Sequence, residues 1–152
     1  MTLSIKMLIV DVIRKIKFNY LILSTYEAGI VLESWEIKGV KKFGFDILGS
    51  YIAFDKLNCF LYNSYIKSVR SHFYKDEFTE RRNRLLLLRR REITLLYGMV
   101  KLSRYTIVPI KAYWKSNIIK LSIALCIGKK KYDKREKIKK AEWVSARNKL
   151  DF

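Results

Sequence analysis

Residues 105–127, YTIVPIKAYWKSNIIKLSIALCI, carry the clearest periodic pattern in the chain. In the first half, one side of a predicted strand is formed by Thr106, Val108, Ile110, Ala112 and Trp114. In the second half, Ile119, Leu121, Ile123, Leu125 and Ile127 alternate with Lys120, Ser122, Ala124 and Cys126. A period of two is typical of a half-buried strand. The stretch therefore predicts two neighbouring strands, each with one face toward a core.

The segments before this stretch are short and mix strands with helices. The predicted strands are Tyr20–Leu23, Glu27–Leu32, a hairpin of Ser50–Phe54 with Cys59–Tyr62, and the buried run Leu85–Leu88. The predicted helices are Ser34–Lys42, which Gly44 ends, and Arg91–Lys101, and residues 63–84 are predicted to form a long loop. Short strands and few helices favour a mainly β fold. We expect a small closed antiparallel β-barrel with flanking helices, for which the oligonucleotide-binding (OB-like) barrel is one solution.

Three regions follow from this pattern: an N-terminal extension (1–19), a barrel with helices (20–127) and a basic tail (128–152). The tail holds ten Lys and Arg residues against four acids. Its few apolar residues cannot stabilise an isolated helix of this length. We expect the tail to be disordered when free and to fold where a polyanion screens its charges.

The composition indicates the kind of partner rather than the fold. The chain has 152 residues, with 32 Lys and Arg against 14 Asp and Glu, and a formal net charge of +18. This length suits one domain with a single core. A strongly basic protein suits RNA, DNA or an anionic membrane surface.

Most enzyme and metal classes are disfavoured by the residues present. Cys59 and Cys126 are the only cysteines and His72 is the only histidine, too few for a closed Cys/His zinc site. We expect both cysteines to be buried free thiols in a reducing, cytosolic setting. His72 has no obvious nucleophile beside it, which disfavours a catalytic role. No apolar run reaches the ~18–20 residues that a membrane-spanning helix needs. We therefore expect no catalytic residue, no metal and no cofactor.

Basic and aromatic residues offer candidate contacts to nucleic acid. Six arginines flank the Leu85–Leu88 run: Arg81, Arg82, Arg84, Arg89, Arg90 and Arg91. Their planar donors suit phosphates and base edges, although a charged surface around a buried strand is the alternative. Tyr132 lies within a lysine run, where stacking on a base is at least as well supported as burial.

Four groups of residues carry a family pattern. They are Tyr26–Leu32 with Trp35–Lys38, Arg84–Leu88 with Arg91–Ile93 and Leu96–Gly98, Tyr105–Pro109 with Tyr113–Lys115, and Gly128–Arg135. In this order and spacing the chain resembles the SsrA-binding proteins (small protein B, SmpB). Each group is weak alone, but together they are specific.

The resemblance implies both a fold and a function. Family members are OB-like barrels, not enzymes, that bind the tRNA-like domain of transfer-messenger RNA (tmRNA, SsrA RNA). They deliver it to stalled ribosomes and so start trans-translation. The RNA-contacting residues implied here are Glu27, Leu87, Lys120, Gly128, Lys129 and Lys130. The tail residues implied to act in the ribosomal decoding centre and mRNA channel are Tyr132, Asp133, Lys134 and Arg135.

The residues themselves support part of this assignment. Lys120 lies on the polar side of an alternating strand, where its ammonium can reach a phosphate. Glu27 would repel a phosphate, so as an RNA contact it must accept hydrogen bonds from base or ribose donors. The alternative for Glu27 is an exposed strand acid balanced by nearby lysines. Leu87, taken alone, is typical of a core residue.

Two other functions stay open from the sequence. One is a generic ribosome-associated or RNA-chaperone protein without a preference for tmRNA. The other is a peripheral membrane protein, which the tail disfavours because no continuous apolar face lies opposite its charges. Nothing in the sequence requires more than a monomer.

Overall fold

The structure of the chain, a computed structural model, describes residues 8–13, 15–69, 80–102, 104–130, 135–136 and 138–139. Its strands are β1 (Leu8–Val12), β2 (Tyr20–Ile30), β3 (Tyr51–Asp55), β4 (Asn58–Tyr62), β5 (Arg84–Leu87), β6 (Tyr105–Lys115) and β7 (Ile118–Gly128). The named helices are α1 (Ile16–Asn19), α2 (Ser34–Phe43) and α3 (Arg90–Lys101). All strand pairs are antiparallel, in the order β1-β6-β7-β2-β5-β4-β3.

The two strands predicted within residues 105–127 are confirmed as the hairpin of β6 and β7. Lys115 pairs with Ile118, and only Ser116 and Asn117 lie between them. Both turn residues have positive φ, 49° and 62°. This is the conformation of a two-residue type I′ turn, whose twist matches that of the strands it joins. The hairpin supplies two eleven-residue strands, which are the second and third of the seven in the sheet.

The predicted inward face of β6 is wrong in its first half. Ile107 and Pro109 are buried, whereas Val108 and Ile110 are only partly buried. The cause is a β-bulge between Pro109 and Lys111, because the bulge changes the phase of the in-and-out alternation. Proline has no N–H to give to a ladder, so it is tolerated at such an irregularity.

Local signals elsewhere were sufficient to predict several elements. The helix predicted over Ser34–Lys42 is confirmed as α2, and Gly44 ends it with a φ of +92° that favours glycine. The hairpin of β3 and β4 and the helix α3 are also confirmed. The prediction of two short strands from Tyr20 to Leu32 is wrong, because β2 is one strand with a bulge between Ile22 and Ser24.

The fold is mainly β with flanking helices, as predicted, but the closed barrel is not confirmed. β1 and β3 form its two ends, and no hydrogen-bonded ladder joins β3 to β6 among the described residues. The sheet nevertheless curls, since β3 packs against β6. Strand β1 lies within residues 1–19, which were predicted to form an N-terminal extension, and it pairs with β6.

The inner face of the curled sheet holds the core. Ala28, Leu61, Leu86, Leu121 and Ile123 are at most 2% exposed, and helices α2 and α3 add Val40 and Leu96. Both cysteines are buried free thiols, as predicted. Burial raises the pKa of the Cys59 thiol to about 12 and that of Cys126 to about 11.

A buried ion cluster joins α2 to β5. The Arg84 side chain is fully buried, and its Nε donates to Glu36 Oε1 at 2.9 Å. Arg84 Nη1 also donates to the carbonyl and hydroxyl oxygens of Ser64, at 2.7 and 2.8 Å. Arg82 donates to Glu36 Oε2 at 2.5 Å, so two guanidinium groups surround one carboxylate. Burial lowers the pKa of Arg84, and the charge of Glu36 opposes that shift.

This cluster corrects the prediction that the six arginines flanking Leu85–Leu88 together offer contacts to nucleic acid. The Arg84 donors are used inside the fold, and Arg82 is mostly covered by the same contacts. Arg89, Arg90 and Arg91 are exposed at the start of α3. Only part of the arginine set therefore faces solvent.

Candidate nucleic-acid interface

The outer face of β5, β2 and β7 brings together three of the residues implied to bind RNA. Gly29 of β2 pairs with Lys120 of β7 on one side and with Leu87 of β5 on the other. Glu27 precedes Gly29 by two positions and therefore lies on the same face. We call this set of Glu27, Leu87 and Lys120 the outer-face site.

Gly29 is where the backbone and the Leu87 side chain come close. A Cβ at this position would lie 3.2 Å from Leu87 Cβ, tighter than ordinary contact. Leu87 covers Gly29 and is itself 55% exposed, so the expectation that it would be a core residue is wrong. Its apolar side chain is available to a ligand on the outer face.

Glu27 is held by two side chains of β6. The Tyr113 hydroxyl donates to Oε2 at 2.5 Å, and the Lys115 ammonium lies 3.0 Å from Oε1 and 3.1 Å from Oε2. The Tyr113 hydrogen bond is the main cause that lowers the pKa of Glu27, and Lys115 adds to it. Burial and the same hydrogen bond raise the pKa of Tyr113. Glu27 is therefore a fixed, charged hydrogen-bond acceptor.

Positive charge surrounds this acceptor. Lys111, Lys115 and Lys120 lie on the same face as Glu27, and the charges of Lys115 and Lys120 both lower the pKa of Glu27. Among the described residues, Lys120 has no ion-pair partner. Lys111 and Tyr113 were not among the predicted site residues, although the predicted alternation is right over this half of β6. Their alignment with Glu27 becomes visible only through the pairing of β6 with β7 and of β7 with β2.

The other implied RNA contacts lie at the far end of β7. Gly128 ends that strand, and Lys129 and Lys130 follow it. Gly128 lies eight positions after Lys120, or about 27 Å along the strand at ~3.4 Å per residue. Lys129 is fixed to α1, since its N–H donates to the Asn19 carbonyl at 3.0 Å and its Nζ to the Lys17 carbonyl at 2.7 Å. The predicted contacts thus form two groups that only a large ligand can span.

The described part of the tail is small. Arg135 has helical backbone and is exposed, whereas Tyr132, Asp133 and Lys134 lie outside the described residues. His72, in the predicted loop of residues 63–84, also lies outside them. In the described ranges, no three His, Cys, Asp or Glu side chains come together to hold a metal ion. The described helices include none long and apolar enough to cross a membrane.

Tyr113→Phe is expected to raise the pKa of Glu27 toward its ordinary value, because the hydroxyl donor to the carboxylate is lost. Wild-type stability gained from the lowered pKa is present above the unfolded-state pKa and is lost as the pH falls through the folded-state pKa. The variant should lose less stability over that acidic range. Carboxyl carbon NMR of Glu27 during a pH titration measures the shift directly.

Tyr105→Phe serves as the control, since Tyr105 lies on the same strand and has no contact with Glu27. An unchanged Glu27 titration in Tyr113→Phe would contradict the role given to Tyr113.

Comparison with known proteins gives consistent matches. The family model described as SmpB protein matches residues 11–150. The SsrA-binding protein of Aquifex aeolicus is 42% identical over 127 residues, covering 83% of this chain and 80% of its own. That of Mycoplasma mycoides is 38% identical over 129 residues, covering 85% of this chain and 87% of its own. A solved structure described as "tmRNA-SmpB: a journey to the center of the bacterial ribosome" matches with TM-score 0.61 and 35% identity, covering 78% of this chain and 82% of its own.

Proposed function

Because the chain belongs to the SmpB protein family, we propose that it is an RNA-binding adaptor of ribosome rescue. It binds the tRNA-like domain of tmRNA and delivers that RNA to stalled ribosomes for trans-translation. Its partners are tmRNA and the ribosome, and it acts in the cytoplasm, where ribosomes are. It is not an enzyme and carries out no bond-making step itself.

The observation that carries this proposal is the outer-face site. Lys120 contacts a phosphate, since its ammonium has no ion-pair partner among the described side chains. Glu27 accepts hydrogen bonds from base or ribose donors, because Tyr113 and Lys115 keep its carboxylate charged and fixed. Leu87 gives an apolar contact beside them. Phosphate, base and apolar contacts side by side suit a folded RNA.

The second group of contacts extends the interface along the sheet. Gly128, Lys129 and Lys130 give a cationic turn about 27 Å from Lys120, on the strand-length estimate of ~3.4 Å per residue. Residues 20–127 act as one barrel-like body, supported by the packing of β3 against β6. The tail from residue 128 carries Tyr132, Asp133, Lys134 and Arg135 into the decoding centre.

Gel-shift titration with the tRNA-like domain of tmRNA tests the function. We expect binding that an excess of total tRNA competes only weakly. In Lys120→Ala we expect weaker binding and a slope of log K against log salt that is smaller by about 0.9 for one lost phosphate contact.

Lys38→Ala is the matched control, because Lys38 is an exposed lysine of α2 rather than of the outer face. Equal competition by total tRNA would favour a generic ribosome-associated protein. An unchanged salt slope in Lys120→Ala would contradict the phosphate contact.

A further inference from the structure

Two tyrosines form a parallel pair on the outer face at one end of the sheet. Tyr51 of β3 pairs with Tyr62 of β4, and their ring centroids are 5.3 Å apart with planes 8° from parallel. Phe60 packs edge-on to Tyr62, with centroids 6.3 Å apart. We call Tyr51, Phe60 and Tyr62 the aromatic patch.

The patch does not belong to the core. Ile52, Cys59 and Leu61 alternate with these rings along β3 and β4 and are the buried residues of the hairpin. Tyr51 is 55% exposed and lies on the end strand of the described sheet. A cross-strand aromatic pair contributes to sheet stability, but that role does not need a ring left so open to solvent.

The patch is continuous with the outer-face site. Phe60 pairs with Leu85 of β5, and Leu87, two positions further along β5, belongs to that site. Leu85 and Leu87 therefore connect the aromatic rings to Gly29 and Lys120 on one surface. From β7 to β3 there are four strand spacings of ~4.8 Å, or about 19 Å across the sheet.

Positive charge also lies beside the patch. Asn63 follows Tyr62, and its Oδ1 accepts a hydrogen bond from Arg81 Nη1 at 3.2 Å. The Arg81 guanidinium lies 5.2 Å from the centre of the Tyr65 ring. Arg81 thus lies close to the end of the patch at Tyr62, where its charge can attract the phosphate of a nucleotide bound to the rings.

We propose that the aromatic patch binds an unpaired base of the RNA, which stacks on the open face of Tyr51 and extends the Tyr51–Tyr62 stack to three rings. The inference rests on the proposed RNA-binding function and adds a base-stacking site to it. Every base has a π-face, so this contact adds affinity for unpaired nucleotides without reading their sequence. Paired nucleotides cannot use it, since their faces are already covered.

Tyr51→Thr tests the proposal, because threonine removes the ring and keeps a β-branched residue in an exposed strand. Two probes are titrated: the tRNA-like domain of tmRNA and a ten-nucleotide uridine oligomer. We expect the Kd of Tyr51→Thr to rise roughly five- to a hundredfold, the range measured for loss of one base–aromatic stack. The salt slope should stay unchanged, because no phosphate contact is lost.

Tyr51→Phe is the matched control, since it keeps the ring, and it should bind as the wild type does. Chemical probing of the tRNA-like domain should show an unpaired nucleotide protected by the wild type and by Tyr51→Phe but not by Tyr51→Thr. Thermal unfolding of each variant establishes that the fold is intact.

The outcomes separate the two proposals. Equal Kd values of Tyr51→Thr and wild type on both probes would overturn the stacking site and leave the tyrosines as a packing pair. If the wild type fails on the tRNA-like domain while Tyr51 still governs binding of the oligomer, the tmRNA function fails and the stacking site stands.

Discussion

Glu36→Ala is expected to destabilise the protein by about 3–5 kcal/mol, the cost of removing one partner from a buried ion pair. Glu36 is fully buried and accepts hydrogen bonds from Arg82 and Arg84. Without it, the Arg84 guanidinium remains buried with no carboxylate beside it. A domain of this kind has a total stability of about 5–15 kcal/mol, so the variant should lose a large part of it.

Urea unfolding followed by far-UV circular dichroism measures this loss. Glu136→Ala is the matched control, because it removes an exposed carboxylate and should change the stability by less than about 0.5 kcal/mol. Equal midpoints for the two variants would mean that the buried cluster contributes nothing to stability. Glu36→Gln keeps the shape of the side chain and removes its charge. The difference between its loss of stability and that of Glu36→Ala separates the contribution of packing from that of the charge.

The second large effect is expected from deleting residues 132–152. The outer-face site and the cationic turn of Gly128–Lys130 remain in this variant, so it should still bind the tRNA-like domain. At moderate salt, where weak long-range attraction is screened, we expect a Kd within about threefold of the full chain. The other readout is trans-translation, in which a peptide tag is added to the nascent chain on a ribosome stalled without a stop codon. In the truncated variant this tag addition should fall to background.

A reconstituted translation system with a message that lacks a stop codon gives this measurement. Lys120→Ala in the full chain is the complementary variant, because it weakens RNA binding while the tail is intact. A full chain with Asp133→Ala, Lys134→Ala and Arg135→Ala tests whether these side chains, rather than the length of the tail, are needed. Tag addition at the normal rate by the truncated protein would show that the tail has another role.

Sequence reasoning succeeded where a structure is decided by neighbouring residues. Helix α2 and its end at Gly44 follow from local spacing, and the β3–β4 hairpin follows from alternation on either side of a short turn. The choice of Glu27, Leu87 and Lys120 came from resemblance rather than from pattern. Their common position on one face becomes visible only through the pairing of three strands.

The failures all depend on contacts between distant residues. Glu36 lies 46 and 48 positions from its arginine partners, so no local pattern marks it as buried. The bulge at Pro109–Lys111 reverses the face of half a strand, and nothing in the alternation shows where the phase changes. Tyr113 was missed because its partner Glu27 lies 86 positions away and comes beside it only through the pairing of β6, β7 and β2.

The single strand β7 begins beside one group of proposed RNA contacts and ends at the other, where Lys129 is fastened to α1. An extended strand has a set rise per residue. The length of β7 therefore fixes the distance between the proposed RNA contacts at its start and the first residues of the tail. Two residues added to it would move the tail's origin by about 7 Å while preserving which side chains face outward. On the proposed function, the length of β7 therefore sets the distance between the bound tRNA-like domain and the start of the tail.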